Sequence, residues 1–336
     1  ELMSLFSEIP FIISLIITCV FTVISLIIFH NENLQTKVPL ACRIPTLAFI
    51  PSAIGAIQIT CFKVLSELTK NTFTGKKITT SKLIKEFPGT PIHNNTFSFA
   101  DAAPDFRRKL LDRSIFISEK SFSECWFSYY RSLKQRNSVL KNNRISDIYI
   151  WNTKLSDEGI KLNNMRKNFF TKTKNEFYYL IDLIQPSSVF EFFNLIEIDF
   201  FRGWDENKNL NDLLQENQDI DLKRKSTTQG PHKSDIKFLI NNIDARQILS
   251  RGEQKFFSIL WSLAQHEVLK KQYKINATLI VDDIKSELDD RVFNLFVETL
   301  KHIKTQAIFS CIDDCFSSKI IASLNEFKKF HVEQLG

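Results

Sequence analysis

Short apolar runs and stretches of helical spacing alternate along this chain, and it opens on a run that fits neither pattern. Residues 11–29, FIISLIITCVFTVISLIIF, are 19 in a row without a charge, which meets the length needed to span a bilayer. From about Cys61 the pattern becomes that of a water-facing protein. The stretches CFKVLSEL (61–68) and GKKITTSKLIKEF (75–87) predict strands and a turn. Phe122, Trp126, Tyr130 and Leu133 recur at three- and four-residue spacing and predict a helix over about Ser118–Lys141, with Ser121 and Glu124 placed for a capping box. A second helix is predicted from about Asp157 to Ile184, ending before Pro186. FEFFNLIEIDFFRGW (190–204) predicts a strand closed by Gly203, and the polar residues 205–225 a solvated helix and connector. There are no internal repeats.

The last third carries the chemistry. GPHKSD (230–235) is a Gly-Pro turn followed by His232 and Lys233, both able to carry positive charge, and an aspartate. ILSRGEQKFFSILWSLAQHEVL (248–269) opens with a Ser-Arg-Gly turn and becomes a helix whose apolar face includes Phe256, Ile259, Leu260, Leu263 and Leu269. Backbone N–H groups at such a start favour an anion. Gly252 would let a phosphate approach the backbone and Ser250 could offer a hydroxyl, although the same turn also serves as a plain helix cap. ATLIVDD (277–283) predicts a central parallel strand, residues 289–304 an amphipathic helix, and QAIFSC (306–311) another strand. Carboxylates at the end of such a strand lie where open α/β sheets bind ligands. Asp282 could hold a magnesium ion through water there, and Asp283 could orient a water attacking a phosphoanhydride. The bland alternative is that both acids cap the next helix.

Composition refines this picture in three places. At 43% hydrophobic and 24% charged the chain resembles folded soluble proteins, but phenylalanine is abundant (31) and glycine scarce (8). Glu1 stands first instead of methionine, so a piece of a longer or open-ended translation is expected. Six cysteines without a CxxC spacing predict free thiols in a reducing compartment. Residues 1–60 hold two basic and three acidic side chains, leaving 42 Lys and Arg against 35 Asp and Glu in the remainder, a net of +7. That excess permits a polyanionic partner without requiring one.

Taken together and in order, LSRGEQK, LIVDD and SELD followed by a strand resemble the signature, Walker B and D-loop series of ABC-type ATPases. GPHKSD, LIVDDIKSELDD, PDFRRKLLD (104–112), LKQRNSVL (133–140), Trp151 before Leu155, and FRGWDE (201–206) narrow the resemblance to the RecF family of bacterial recombination and repair proteins, over about residues 61–335. The resemblance implies an α/β fold, an ABC-type ATPase head with a P-loop NTPase-like sheet and an inserted helical lobe. Its boundaries would be 61–104 and 186–336 for the head and 105–185 for the lobe. It further implies a cytoplasmic protein that forms a homodimer with ATP and binds DNA at single-strand/double-strand junctions. Such a protein assists recombinase loading alongside recombination mediator proteins. Ser250 and Gly252 would then serve the neighbour's nucleotide, Asp282 and Asp283 the chain's own ATP and Mg2+, and Asp289 would lie near the dimer interface. Arg107, Arg108, Lys134 and Arg136 are candidate DNA-phosphate contacts, with ion pairing inside the lobe as their structural alternative. His232 and Lys233 carry the same pair of readings.

One departure from the family pattern matters. No G-x-x-x-x-G-K-[ST] occurs, no glycine precedes Gly55, and the amino-terminal part of the head is missing or garbled. Without that loop's N–H cradle and lysine, ATP turnover by the chain as written is not expected. Residues 1–60 read as a membrane span, as buried strands, or as out-of-frame translation; the last is the most economical, and a membrane association is not expected. The alternative function is a non-hydrolysing head acting as a DNA-binding or interaction module, membrane-attached in one version. No histidine ends the QAIFSC strand, where many ABC ATPases place a switch; Ser310 or Cys311 stands there.

Overall fold

The structure, a computed structural model, describes residues 84–93, 96, 99–143, 145–185, 190, 192–282 and 284–310. The apolar run at 11–29, the expected strands before residue 84, Asp283 and the chain from Cys311 onward lie outside the described residues. No helix among those described is long and apolar enough to cross a membrane. They fall into two compact units.

The first unit is built on a parallel sheet. β1 (Gly89–Ile92) and β6 (Ala307–Ser310) flank β5 (Thr278–Asp282). β5 pairs with both neighbours in parallel, Thr90 opposite Leu279 on one side and Asp282 opposite Ser310 on the other. Leu279 and Val281, two residues apart and so on one face of β5, are fully buried, while Thr278 and Ile280 on the other face are partly buried. The short α8 (Ile284–Glu287) follows it. Ile84–Glu86 are helical where the sequence pattern predicted strand and turn.

The second unit holds most of the helices. α1 (Pro104–Ser118), α2 (Phe122–Lys141) and α3 (Ile148–Ile184) come first. An antiparallel sheet of β2 (Ile196–Phe201), β3 (Asp235–Ile240) and β4 (Ile243–Asp244) follows in space. In sequence α4 (Leu210–Glu216) and α5 (Gln218–Arg224) lie between β2 and β3. α6 (Ala245–Ile248), α7 (Arg251–Tyr273) and α9 (Asp290–His302) complete the unit. The β3–β4 connection is the two-residue turn Asn241-Asn242, both with positive φ, which a type I′ hairpin demands and asparagine tolerates.

Several boundaries differ from the expectation for physical reasons. The helix expected to begin at Ser118 begins at Phe122, and Ser121 is itself in the α region with no side-chain cap, so the expected capping box does not form. α3 starts nine residues earlier than expected and runs 37 residues, roughly 55 Å. It does end before Pro186, on Gln185 in the left-handed region. Residues 205–225 form two helices rather than a solvated one, because Leu210, Leu213, Leu214 and Asp221 are buried.

The phenylalanines find their place here. Trp261 of α7 is fully buried and lies within 6.0 Å, centroid to centroid, of Phe99, Phe170, Phe177 and Phe238. These rings come from a loop, from α3 and from β3, so one aromatic knot joins helices and sheet at the centre of the unit.

Candidate functional site

The first candidate cluster ends the parallel sheet. Asp282 is the last residue of β5 and buried, and its Oδ1 accepts a hydrogen bond from the Ser310 hydroxyl at 2.7 Å. The register makes this contact, since the two residues are partners on adjacent parallel strands. Ser310 therefore holds the carboxylate at the carboxyl edge of the sheet. Asp283 lies outside the described residues.

The second cluster is in the other unit, at the start of α7. Ser250 is its N-cap, with the extended backbone a cap requires. The capping box is complete: Glu253 Oε2 accepts from the Ser250 N–H at 2.7 Å, and Ser250 Oγ accepts from the Glu253 N–H at 3.4 Å. Gly252 follows directly. A Cβ built on it would stand 3.3 Å from Asp289 Oδ2 and 3.5 Å from Val292 Cγ2. Asp289 is in turn the N-cap of α9, its Oδ1 accepting from the N–H groups of Arg291 and Val292 at 2.9 Å each. The structure thus brings Ser250, Gly252 and Asp289 together through two abutting helix starts. Gly252 is bare partly because the Asp289 carboxylate lies against it.

The four arginines and lysines singled out in the sequence have different surroundings. Lys134 is exposed on α2. Arg107 grips Asp235 with Nε and Nη2, 2.8 Å each, and also donates to Ala102 O at 2.5 Å. Arg108 donates to Ser234 O at 2.5 Å, lies 3.5 Å from Asp105, and keeps a buried Nε without a hydrogen-bond partner. Arg136 is fully buried. Its guanidinium pairs with Asp221 at 2.6 Å, both side chains without exposure, and donates further to Asn152 Oδ1, Thr227 Oγ1 and Leu214 O. Contact with a phosphate needs an exposed guanidinium, and Arg136 presents none in this structure.

Those bonds belong to a polar network that the sequence reading missed. Arg166 of α3, also buried, forks onto both oxygens of Asp112 at 2.7 Å and donates to Pro231 O at 2.6 Å. Burial works against its charge, and Asp112 overcomes this, so its pKa is raised. Asp221 Oδ1 accepts from the N–H and hydroxyl of Thr228. Asp112 did lie in one of the singled-out motifs; Arg166, Asp221 and Thr227 carried no local signal.

His232 is the hinge of the network. Its Nε2 lies 3.0 Å from Thr227 O, a pure acceptor, so Nε2 carries the proton. Nδ1 then accepts from the Tyr129 hydroxyl at 2.7 Å. Burial pushes the imidazole down to about 4, and the Tyr129 hydroxyl up. His266, hydrogen-bonded to Thr305 Oγ1 at 2.9 Å, is likewise pushed by burial to about 4. Both depressed histidines bind fewer protons folded than unfolded between about pH 6.5 and 4. Their contribution is complete above about 6.5 and is lost as pH falls, roughly 2 kcal/mol each by pH ~5. Urea midpoints measured from pH 7 to 5 are expected to fall, and less steeply in His232→Gln and His266→Gln. A flat profile would contradict this account of both groups.

A parallel sheet with an acid ending its central strand and a capped serine-glycine helix start fit the α/β fold of an ABC-type ATPase head. Comparison with known proteins names the branch. No family model matches the chain. It is 31% identical over 258 residues to the DNA replication and repair protein RecF of Nitrosococcus oceani, covering 75% of this chain and 69% of that protein. With the protein of the same name from Shewanella woodyi it shares 31% identity over 257 residues, 76% and 68% of the two. A solved structure described as the recombination mediator protein RecF with ATP in the RecFOR pathway superposes with a TM-score of 0.61 at 26% identity, over 72% of this chain and 66% of that one. The chain belongs to the RecF family. It spans about two thirds of the length of the relatives it matches.

Proposed function

We propose that this chain is a DNA replication and repair protein that binds DNA without sequence preference and pairs with a second copy around ATP. The reading extends to single-strand/double-strand junctions as the preferred DNA, recombinase loading at gaps as the task, recombination mediator proteins as partners and the cytoplasm as the place. The observation that carries it is the Ser250–Gly252–Asp289 cluster on a chain of this family. No bond among the described residues uses the N–H groups of Arg251 and Gly252, which lie between the two amides of the capping box. An α7 start of this kind suits the terminal phosphate of a nucleotide held by a neighbouring copy.

In this reading residues 61–104 and 186–336 form the head and 105–185 the lobe, and Asp289 lies near the interface between copies. Asp282 would meet the magnesium accompanying the nucleotide, and Asp283 would orient water. The donors fit: a carboxylate fixed by a hydroxyl suits a hard cation that takes oxygen ligands. When bound, the ion would neutralise phosphate charge. The P-loop lysine and hydroxyl that complete such a site have no counterpart in the sequence. A head that binds DNA without hydrolysing ATP is therefore the second reading, and that missing loop favours it.

For DNA, Lys134 is the member of the four with an exposed side chain, and Arg107 and Arg108 brace the segment around Ser234 and Asp235. The test is fluorescence anisotropy of labelled duplexes with single-stranded tails, titrated with the full chain at several salt concentrations. Affinity is expected to fall steeply with salt and to be the same for unrelated sequences. Preference for one sequence, or no dependence on salt, would overturn the proposal.

A further inference from the structure

Residues 230–235, singled out by the sequence, enter the function proposed above only as the segment that Arg107 and Arg108 brace. Their geometry divides the motif sharply. Gly230 takes φ +131° and donates its N–H to Gly203 O at 3.1 Å. Gly203, at φ +97°, is bare of necessity, because a Cβ there would meet Gly230 O at 2.2 Å. Pro231 O receives Arg166, and Ser234 is fully buried, with Arg108 on its carbonyl and Arg166 on its hydroxyl at 3.1 Å. Asp235 is held by Arg107. His232 is locked between Tyr129 and Thr227. Of the six residues only Lys233 exposes its side chain, and no ion pair or hydrogen bond among the described residues uses its ammonium.

We propose that Lys233 is a DNA-phosphate contact, presented by a turn made rigid for that purpose, and that His232 is a positioning residue rather than a second cation. This rests on the reading that the chain binds DNA. The backbone decides between a nucleic-acid phosphate and a nucleotide's polyphosphate. A polyphosphate is cradled by several free N–H groups, and here they are committed: Gly230 to Gly203 O, His232 to Tyr129 Oη, Lys233 to Gly230 O and Ser234 to Pro231 O. Proline supplies none. What remains is one mobile point charge on a fixed base, which suits a single phosphate of a repeating backbone. Burial is the main reason His232 stays neutral; Lys233 and Arg108 add repulsion against its protonation, while the Thr227 carbonyl and Asp221 favour it. A doubly cationic turn would have to overcome that repulsion, and the neutral imidazole avoids it.

The experiment uses the full chain, a labelled mixed-sequence duplex with a single-stranded tail, and inorganic triphosphate as the small-molecule probe. Lys233→Ala is expected to weaken DNA binding about eightfold at ~0.1 M salt and to reduce the slope of log affinity against log salt by about one. Lys233→Arg should restore both, and the thermal midpoint should not move. DNA affinity should change with pH between about 7.5 and 6 by the same factor in the parent and in His232→Gln. A gain at the acid end that His232→Gln abolishes would make the histidine itself a contact and overturn its positioning role. Unchanged DNA binding in Lys233→Ala overturns the inference and leaves the DNA reading standing. Loss of triphosphate binding with DNA binding intact overturns it in favour of a nucleotide. Absence of DNA binding by the parent sinks both.

Discussion

Asp221→Ala is expected to destabilise the second unit by roughly 3–5 kcal/mol, more than any other single carboxylate considered in this structure. The reason is the state in which it leaves Arg136. That guanidinium has no exposure, and Asp221 is its counter-ion, so alanine strands a charge in a medium that solvates it poorly. The N–H and hydroxyl of Thr228 lose their acceptor at the same time. Replacing both members, as Arg136→Met with Asp221→Leu, removes the uncompensated charge and should recover much of the loss. Arg136→Lys should itself destabilise the unit, because one ammonium cannot reach Asn152, Asp221, Thr227 and Leu214 as a fork does. All four tryptophans (Trp126, Trp151, Trp204 and Trp261) lie in this unit. Their fluorescence in a urea titration therefore reports it without interference from the parallel sheet. A loss below about 1 kcal/mol would mean that water reaches the pair.

Ser250→Arg is expected to abolish ATP-dependent pairing of two copies. The test needs a P-loop, which can be supplied by exchanging residues 1–60 for a segment that carries a G-x-x-x-x-G-K-[ST] sequence. An arginine at the α7 cap would fill the space proposed for the neighbour's terminal phosphate. It also removes a helix cap, at about 1 kcal/mol, which is too little to unfold the chain. Ser250→Asp separates the two effects: aspartate caps a helix as well as serine does, yet places negative charge where the phosphate would sit. Both variants should sediment as monomers with a non-hydrolysable ATP analogue, and the unsubstituted chimaera as a dimer. A dimer in Ser250→Asp would reduce the serine to the cap of its own helix, a bond it does make.

The elements that were legible are those whose pattern is self-contained. β5 is a short apolar run ended by acids, and it is the central strand. Ser250 stands one residue before an amphipathic run and is the cap that its turn allowed, and the run that follows Asp289 is the helix expected there. The local pattern was not read as a helix over α1, which only the resemblance placed in a helical lobe; its buried face is narrow, with Leu111, Ser114 and Ile115 the buried residues of the fifteen. The polar network was beyond reach for a different reason. Arg136 meets a partner 85 residues away, Arg107 one 128 away, and neither pairing leaves a mark on local spacing. Basic residues in a motif suggested an outward role, and burial gave Arg136 an inward one.

The long α3 has a consequence for synthesis. Phe170 and Phe177 leave the ribosome well before the residues that cover them, since Trp261 lies 84 positions beyond Phe177 and their rings end 5.9 Å apart. At about 5–20 residues per second the nascent chain carries that aromatic face uncovered for roughly 4–17 s. Throughout that interval the emerging helix is a ready substrate for any holdase that grips apolar surface, and the arrival of α7 ends its exposure.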